Sequence, residues 1–281
     1  MDKIDELLDS VESLPPAPQV LVQLLSLLAK TETDLNRIVD LISFDPALTA
    51  KLLQTVNSGI FGRSSVVNDV PEAVNRLGFQ AVYHIVAVAC GERFIRPTDA
   101  SGIDIGKMWR HAVTVAFASQ FVSEPLGKDG GLAFTAGMLH DIGKVVMGEA
   151  FKLDYARIIN GEQLTGRTLI EQERARFGMD HAEVGARLLE RWKFSSNFAA
   201  AVRFHHDPSG AGNCAHFAAA IDLANALAHT FDDYGEGPAI FVVDSQAALQ
   251  ILGIEAPDLL RYSDRIRENV DFVEAMCALR S

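Results

Sequence analysis

The sequence predicts an all-α protein, on three observations. Apolar residues recur at helical spacing along nearly all of the 281 positions, alternating strand patterns are almost absent, and helix start and stop signals divide the chain. Ile4, Leu7, Leu8 and Val11 mark a first amphipathic helix, ended at Leu14-Pro15-Pro16. A second follows Pro18, with Val20, Leu21, Leu24, Leu25 and Leu28 on one face. Asp45 is suited to cap a helix that begins at Pro46, where a missing N–H costs little. Leu48, Leu52 and Val56 continue that helix, and Ser58-Gly59 stops it. Another begins at Pro71 and stops at Gly78; an apolar run then reaches Cys90 before the polar break Pro97-Thr98-Asp99-Ala100-Ser101-Gly102. A boundary there makes residues 1–100 an N-terminal helical subdomain, in which the lone His84 is read as packing.

Residues 101–232 form the second unit and carry the chemistry. His111 shares a helix face with Val115, Ala118 and Val122 and is expected to point inward. His140 follows Ala133, Ala136 and Gly137, small residues that let helices approach closely. Asp180 and Glu183 are spaced as a capping box, which puts His181 in a first helical turn. The positive end of the helix dipole there disfavours imidazolium, so a neutral His181 is expected. His205 and His206, just before Asp207-Pro208, stand at a helix end, where adjacent side chains can converge. Asp222 has Ala215, Ala218, Ala219 and Ala226 on its side, and a carboxylate buried among alanines needs a partner. That partner could be a cation, a helix cap or Lys144. The turn-rich acidic stretch from Asp232 to Pro238 closes this unit, and residues 233–281 form a C-terminal helical extension. Ile240 to Val243 is a short apolar run without an assignment; two helices follow, the last from about Pro257 to Leu279.

Composition narrows the function. A 48% apolar content supports a substantial core, and a net charge of −12 argues against a chain-wide polyanion-binding surface, nucleic acid included. Cys90, Cys214 and Cys277 are far apart and form no CxxC pair, so neither a disulfide framework nor a cysteine zinc site is expected, and a reducing cytoplasm is the simplest compartment. The acidic opening Met1-Asp2-Lys3-Ile4-Asp5-Glu6 does not read as a leader. The longest apolar stretches, such as Ala81 to Cys90, fall short of the roughly 20 residues of a membrane helix, so no membrane partner is expected.

Five of the 8 histidines fall into one series with two aspartates: His111, His140-Asp141, His181, His205-His206, Asp222. Imidazole nitrogen beside carboxylate oxygen is the donor mixture of borderline transition metals, which makes a buried metal centre the leading expectation. His216 and His229 lie outside this series and are read as structural, as Trp109 is read as packing.

The segment Gly137-Met138-Leu139-His140-Asp141-Ile142-Gly143-Lys144 resembles the signature of the HD superfamily of metal-dependent phosphohydrolases, and the order of the series resembles its two-metal HD-GYP branch. The resemblance implies an HD-domain-like helical bundle behind the N-terminal subdomain. It implies one metal on His111, His140, Asp141 and Asp222, and a second on His181, His205 and His206, with Asp141 bridging. Asp222-Leu223-Ala224-Asn225-Ala226-Leu227 matches the last motif at its first aspartate, while Asn225 replaces the second. Asp207-Pro208-Ser209-Gly210-Ala211-Gly212 follows the histidine pair where the HD-GYP branch has Gly-Tyr-Pro, so that branch's cyclic dinucleotide recognition does not carry over.

Leu14-Pro15-Pro16-Ala17-Pro18, Asp45-Pro46-Ala47-Leu48-Thr49, Val56-Asn57-Ser58-Gly59 and Ala73-Val74-Asn75-Arg76-Leu77-Gly78 resemble the related HDOD family, over about residues 10–230. HDOD proteins act in bacterial signal transduction and many have lost metal ligands; this chain keeps the whole series. The implied function is therefore a regulatory output or binding module with one or two divalent ions, iron or manganese first, zinc, nickel or cobalt as alternatives. Its partners would be signalling proteins or a phosphate-containing small ligand. The alternative is a dinuclear phosphohydrolase of a nucleotide, cyclic dinucleotide or other phosphodiester, with Asp141 and Lys144 in the catalytic roles.

Overall fold

In the computed structural model the described residues are 3–11, 19–28, 35–58, 66–94, 102–159, 166–234 and 245–268. Among them the chain is helical throughout and contains no strand. The N-terminal half comprises α1 (Lys3–Ser10), α2 (Gln19–Leu28), α3 (Leu35–Ser43), α4 (Pro46–Asn57) and α5 (Val70–Phe94). The Asp45 carboxylate accepts the Ala47 and Leu48 N–H groups, each at 3.0 Å, and so caps α4 as expected. Gly78 does end a helical stretch, but the chain resumes helix at once. Its φ of 77° and ψ of 164°, open to glycine, form a kink between two helical arms of α5. Helix α3, whose Ile38 and Ile42 are fully buried, has no counterpart among the helices expected from the sequence. Leu14-Pro15-Pro16 and residues 97–101 lie outside the described residues.

The second half runs α6 (Ile105–Ser123), α7 (Gly130–Leu139), α8 (Ile142–Ile159), α9 (Gly166–Phe177), α10 (His181–Arg191), α11 (Ser196–Arg203), α12 (Ala215–Tyr234), α13 (Gln246–Leu252) and α14 (Ala256–Glu268). Helix α6 is its axis, buried almost continuously from Met108 to Ser123 and packed by α7, α12 and α14. Gly137 makes the α6–α7 approach possible: a Cβ there would come within 2.8 Å of the Val115 carbonyl. One hydrophobic core spans both halves, joining Leu48, Leu52 and Ile85 to Phe117, Phe134 and Leu189. His84 belongs to it, stacked on Phe134 at 4.4 Å between ring centroids and edge-on to Phe117 at 5.2 Å.

Helix α1 lies against α10 and α8. Arg187 donates to both Asp5 carboxylate oxygens at 2.9 and 2.7 Å, and Arg191 reaches Asp9 at 2.6 Å. The two arginines hold the Asp5 carboxyl at about 2, below the ordinary carboxylate range.

The acidic stretch expected to turn from Asp232 begins as helix. Helix α12 continues through Asp232 and Asp233 to Tyr234, because neither glycine nor proline interrupts it before Gly235. Ile240 to Val243 and the last residues, 269–281, lie outside the described residues. No described helix is long and apolar enough to cross a membrane.

Candidate metal centre

Helix ends bring the series together. His111 is on α6, buried as its apolar face predicts; His140 is the C-cap of α7, and Asp141 sits in the turn leading to α8. His181 is the first residue of α10, behind the expected capping box: Asp180 Oδ1 accepts the Glu183 N–H at 2.8 Å, and Glu183 reaches back to the Asp180 N–H. His205 and His206 occupy the turn after α11.

Asp141 stands in the middle of these rings. Its Oδ2 is 3.3 Å from His140 Nε2, and its Oδ1 is 3.3 Å from His181 Nε2 and 3.9 Å from His205 Nε2. Donor atoms of His111, His140 and Asp141 all lie within 4.8 Å of one another, as do those of His181, His205 and His206. His181 Nε2 and His206 Nε2 are 3.2 Å apart.

The backbone fixes which nitrogens face inward. His140 donates its Nδ1–H to the Gly137 carbonyl at 2.7 Å, and His205 donates its Nδ1–H to the Val202 carbonyl at 2.6 Å. Their Nε2 atoms therefore carry lone pairs. Both are buried, and among the described residues neither has a hydrogen-bond partner. Inward lone pairs left without donors, tied from behind by carbonyls and set around a carboxylate, fit a divalent cation.

Electrostatics divide the imidazoles. Burial pushes His140, His205 and His206 below the ordinary histidine range, so they are neutral and able to ligate. His181 departs from the neutral state expected from its helix N-terminus. Burial does oppose its charge, but the Glu173 carboxylate at one nitrogen and Asp141 at the other outweigh burial and dipole and raise it to about 9. Burial also opposes the charge of Asp141, but the Lys144 ammonium and the protonated His181 beside it hold its carboxyl well below the ordinary range.

The other expected residues are placed as follows. Lys144 Nζ is 2.6 Å from Asp141 Oδ2, and its side chain is 21% exposed, so it lines the centre. Asp222, on α12, is half-buried rather than enclosed and belongs to neither donor trio. His229, read as structural, brings its ring to 4.6 Å from His111. Trp109 packs in the core.

Glu173 joins the site without belonging to the expected series. This fully buried carboxylate of α9 accepts the His181 N–H at 3.0 Å and Nδ1–H at 2.7 Å. Its neighbours Glu171, Arg174 and Arg176 are exposed and make the segment look like a solvated face. The usable signal is the acid's place on the same face as the buried Leu169 and Ile170. Beside His206 a cleft of about 310 Å³ is lined by Arg174, Glu183, Arg203, Phe204 and Asp207.

Comparison with known proteins bears on the family and the fold. The chain matches the HDOD domain over residues 14–208. An uncharacterized protein of Treponema pallidum (strain Nichols) is 28% identical over 210 residues, covering 71% of this chain but only 39% of the relative's own length. Among solved structures, a provisionally named phosphohydrolase of Shewanella amazonensis SB2B superposes with a TM-score of 0.74 at 24% identity, covering 98% of each chain. A provisionally named signal transduction protein of Marinobacter aquaeolei VT8 superposes with a TM-score of 0.78 at 21% identity, over 99% of this chain and 65% of the other. At these identities the structural likeness concerns the fold.

Proposed function

The chain belongs to the HDOD domain family, and on that footing we propose that it is a regulatory module of bacterial signal transduction built on a divalent-metal centre. The observation that carries the reading is the position of Asp141, a buried carboxylate that belongs to one donor trio and faces His181 of the other. In this reading His111, His140 and Asp141, with Asp222 as a further carboxylate, hold one ion. His181, His205 and His206 hold a second, and Asp141 is shared. Mixed nitrogen and oxygen donors favour iron or manganese, with zinc, nickel or cobalt able to substitute, and disfavour calcium, which takes all-oxygen shells. A cation at His181 Nε2 would take the place of the proton that Glu173 and Asp141 stabilise there, so metal uptake would release protons.

Two features support a regulatory role. Helices α1–α5 contribute none of the seven series residues, yet α1 packs on α10 and α5 packs on α7. The same half presents Phe44 at 86% and Val66 at 68% exposure. Signalling proteins or a phosphate-containing small ligand are the partners proposed.

The second reading is a phosphohydrolase of a nucleotide, cyclic dinucleotide or other phosphodiester. It is favoured by Lys144 against Asp141 and by the cleft at His206, where the Arg203 guanidinium lies 5.7 Å from the Phe204 ring centroid. Ions bound there would supply Lewis acidity toward a phosphate oxygen and toward water. Lys144 would set a positive charge beside a phosphate oxygen, and Arg174 and Arg203 would orient the rest of an anionic ligand. The test is a turnover screen of the manganese- and iron-loaded protein against cyclic dinucleotides and simple phosphodiesters, with His140→Ala as control. The regulatory reading expects no turnover that depends on His140. Robust turnover abolished in His140→Ala would replace it with the hydrolase.

A further inference from the structure

We propose that Glu173, held by Tyr155, is the positioning residue of the histidine trio and sets how tightly that trio, but not the His111–His140–Asp141 trio, retains its ion. The proposal rests on the metal reading above. Three helices meet at this carboxylate: α8 brings Tyr155, α9 brings Glu173 and α10 begins at His181. Glu173 Oε1 accepts the Tyr155 O–H at 2.7 Å, and Oε2 accepts both the His181 N–H at 3.0 Å and the His181 Nδ1–H at 2.7 Å. Both carboxylate oxygens are occupied, which is what a fully buried acid requires and which leaves Glu173 no direct ligand role.

The consequence is asymmetric. His140 and His205 are backed at Nδ1 by neutral carbonyls, whereas His181 is backed by a carboxylate. A carboxylate behind an imidazole fixes ring and tautomer and makes the opposite nitrogen a stronger donor. The trio of His181, His205 and His206 contains no acid of its own, while the other trio contains Asp141. Glu173 thus adds, through His181, negative charge at a trio whose one carboxylate neighbour, Asp141, is shared with the other ion. Tyr155 contributes by holding Oε1, so that Oε2 stays on the ring.

The experiment is an anaerobic titration of the full chain with Co²⁺, read by visible absorption and by metal per chain after desalting. The variants are Glu173→Gln, which can still accept a hydrogen bond but carries no charge, and Tyr155→Phe. Wild type is expected to bind two Co²⁺. Glu173→Gln should keep one with unchanged affinity and bind the other about 10–100-fold more weakly, and Tyr155→Phe should weaken the same ion by a few-fold. Two wild-type affinities in Glu173→Gln, or equal weakening of both ions as a purely structural role would give, overturn the proposal. If Glu173→Gln fails to fold, Tyr155→Phe decides: selective loss at one ion supports the assignment and unchanged or equal affinities refute it. A wild type that binds no Co²⁺ instead brings down the metal reading itself, and this assignment with it.

Discussion

Gly143 lies directly against the backbone of His181. A Cβ at Gly143 would fall on the His181 carbonyl and within 2.7 Å of the Gly185 nitrogen, so α8 and α10 meet main chain to main chain. The contact sets the first turn of α10, and with it the His181 ring, beside Asp141. Because backbone cannot step aside as a flexible side chain can, Gly143→Ala should destabilise the fold by about 2–3 kcal/mol, lowering Tm by roughly 5–10 °C. Metal uptake should fall with it. A melt indistinguishable from wild type would mean that the helices are not so close.

The series was legible in the sequence because its chemistry is unusual. Histidines on apolar faces, an HD pair after small residues and a capping box before His181 all specify position without knowledge of the tertiary fold. Helix existence was legible for the same reason: Asp45, Pro46 and Gly78 act locally. What escaped were features made by tertiary contact. Glu173 looks solvated until Tyr155 and His181 close over it, and its charge reverses the protonation that a helix dipole alone predicts for His181. Helix α3, at nine residues, is too short for its apolar spacing to stand out. The half-burial of Asp222 depends on what α12 packs against, which periodicity does not encode.

Lys144 shares Asp141 Oδ2 with any cation bound there. Lys144→Met should therefore leave metal stoichiometry unchanged and tighten Mn²⁺ binding a few-fold, by removing a competing positive charge. If the protein turns over phosphodiesters, that rate should drop at least about tenfold in the same variant. Weaker Mn²⁺ binding, measured by calorimetry, would show that Lys144 organises the site rather than competing at it.

His84 gives a pH dependence with a definite sign. Burial lowers its pKa from 6.5 to about 4, so the folded protein binds fewer protons than the unfolded chain between these values. Its neutral state is compatible with the fold above pH 6.5, and stability is lost as pH falls from 6.5 toward 4, by roughly 3 kcal/mol in all. Replacing it in His84→Phe, within the stack on Phe134 and Phe117, should flatten urea-unfolding stability over that interval relative to wild type. Parallel pH profiles for the two proteins would contradict the assignment.

Helix α1 is tied to α10 by ion pairs of Asp5 and Asp9 with Arg187 and Arg191, beside the buried Leu8. Because the pairs are partly exposed, Arg187→Ala should cost global stability little. It should nevertheless accelerate hydrogen exchange across residues 3–10, as should raised salt in wild type. As Asp5 titrates near 2, acid should release α1 only as pH falls from about 4 through 2. Exchange rates insensitive to both the substitution and salt would show that Leu8 and its apolar neighbours alone hold the helix.

If the donors around Asp141 hold divalent cations, elemental analysis of anaerobically purified protein will find them. Wild type should carry two transition-metal ions per chain, iron or manganese foremost, falling to at most one in His205→Ala and in His111→Ala, with helical content unchanged. Wild-type protein that carries no stoichiometric metal, and takes up none when offered Fe²⁺ or Mn²⁺, would contradict it.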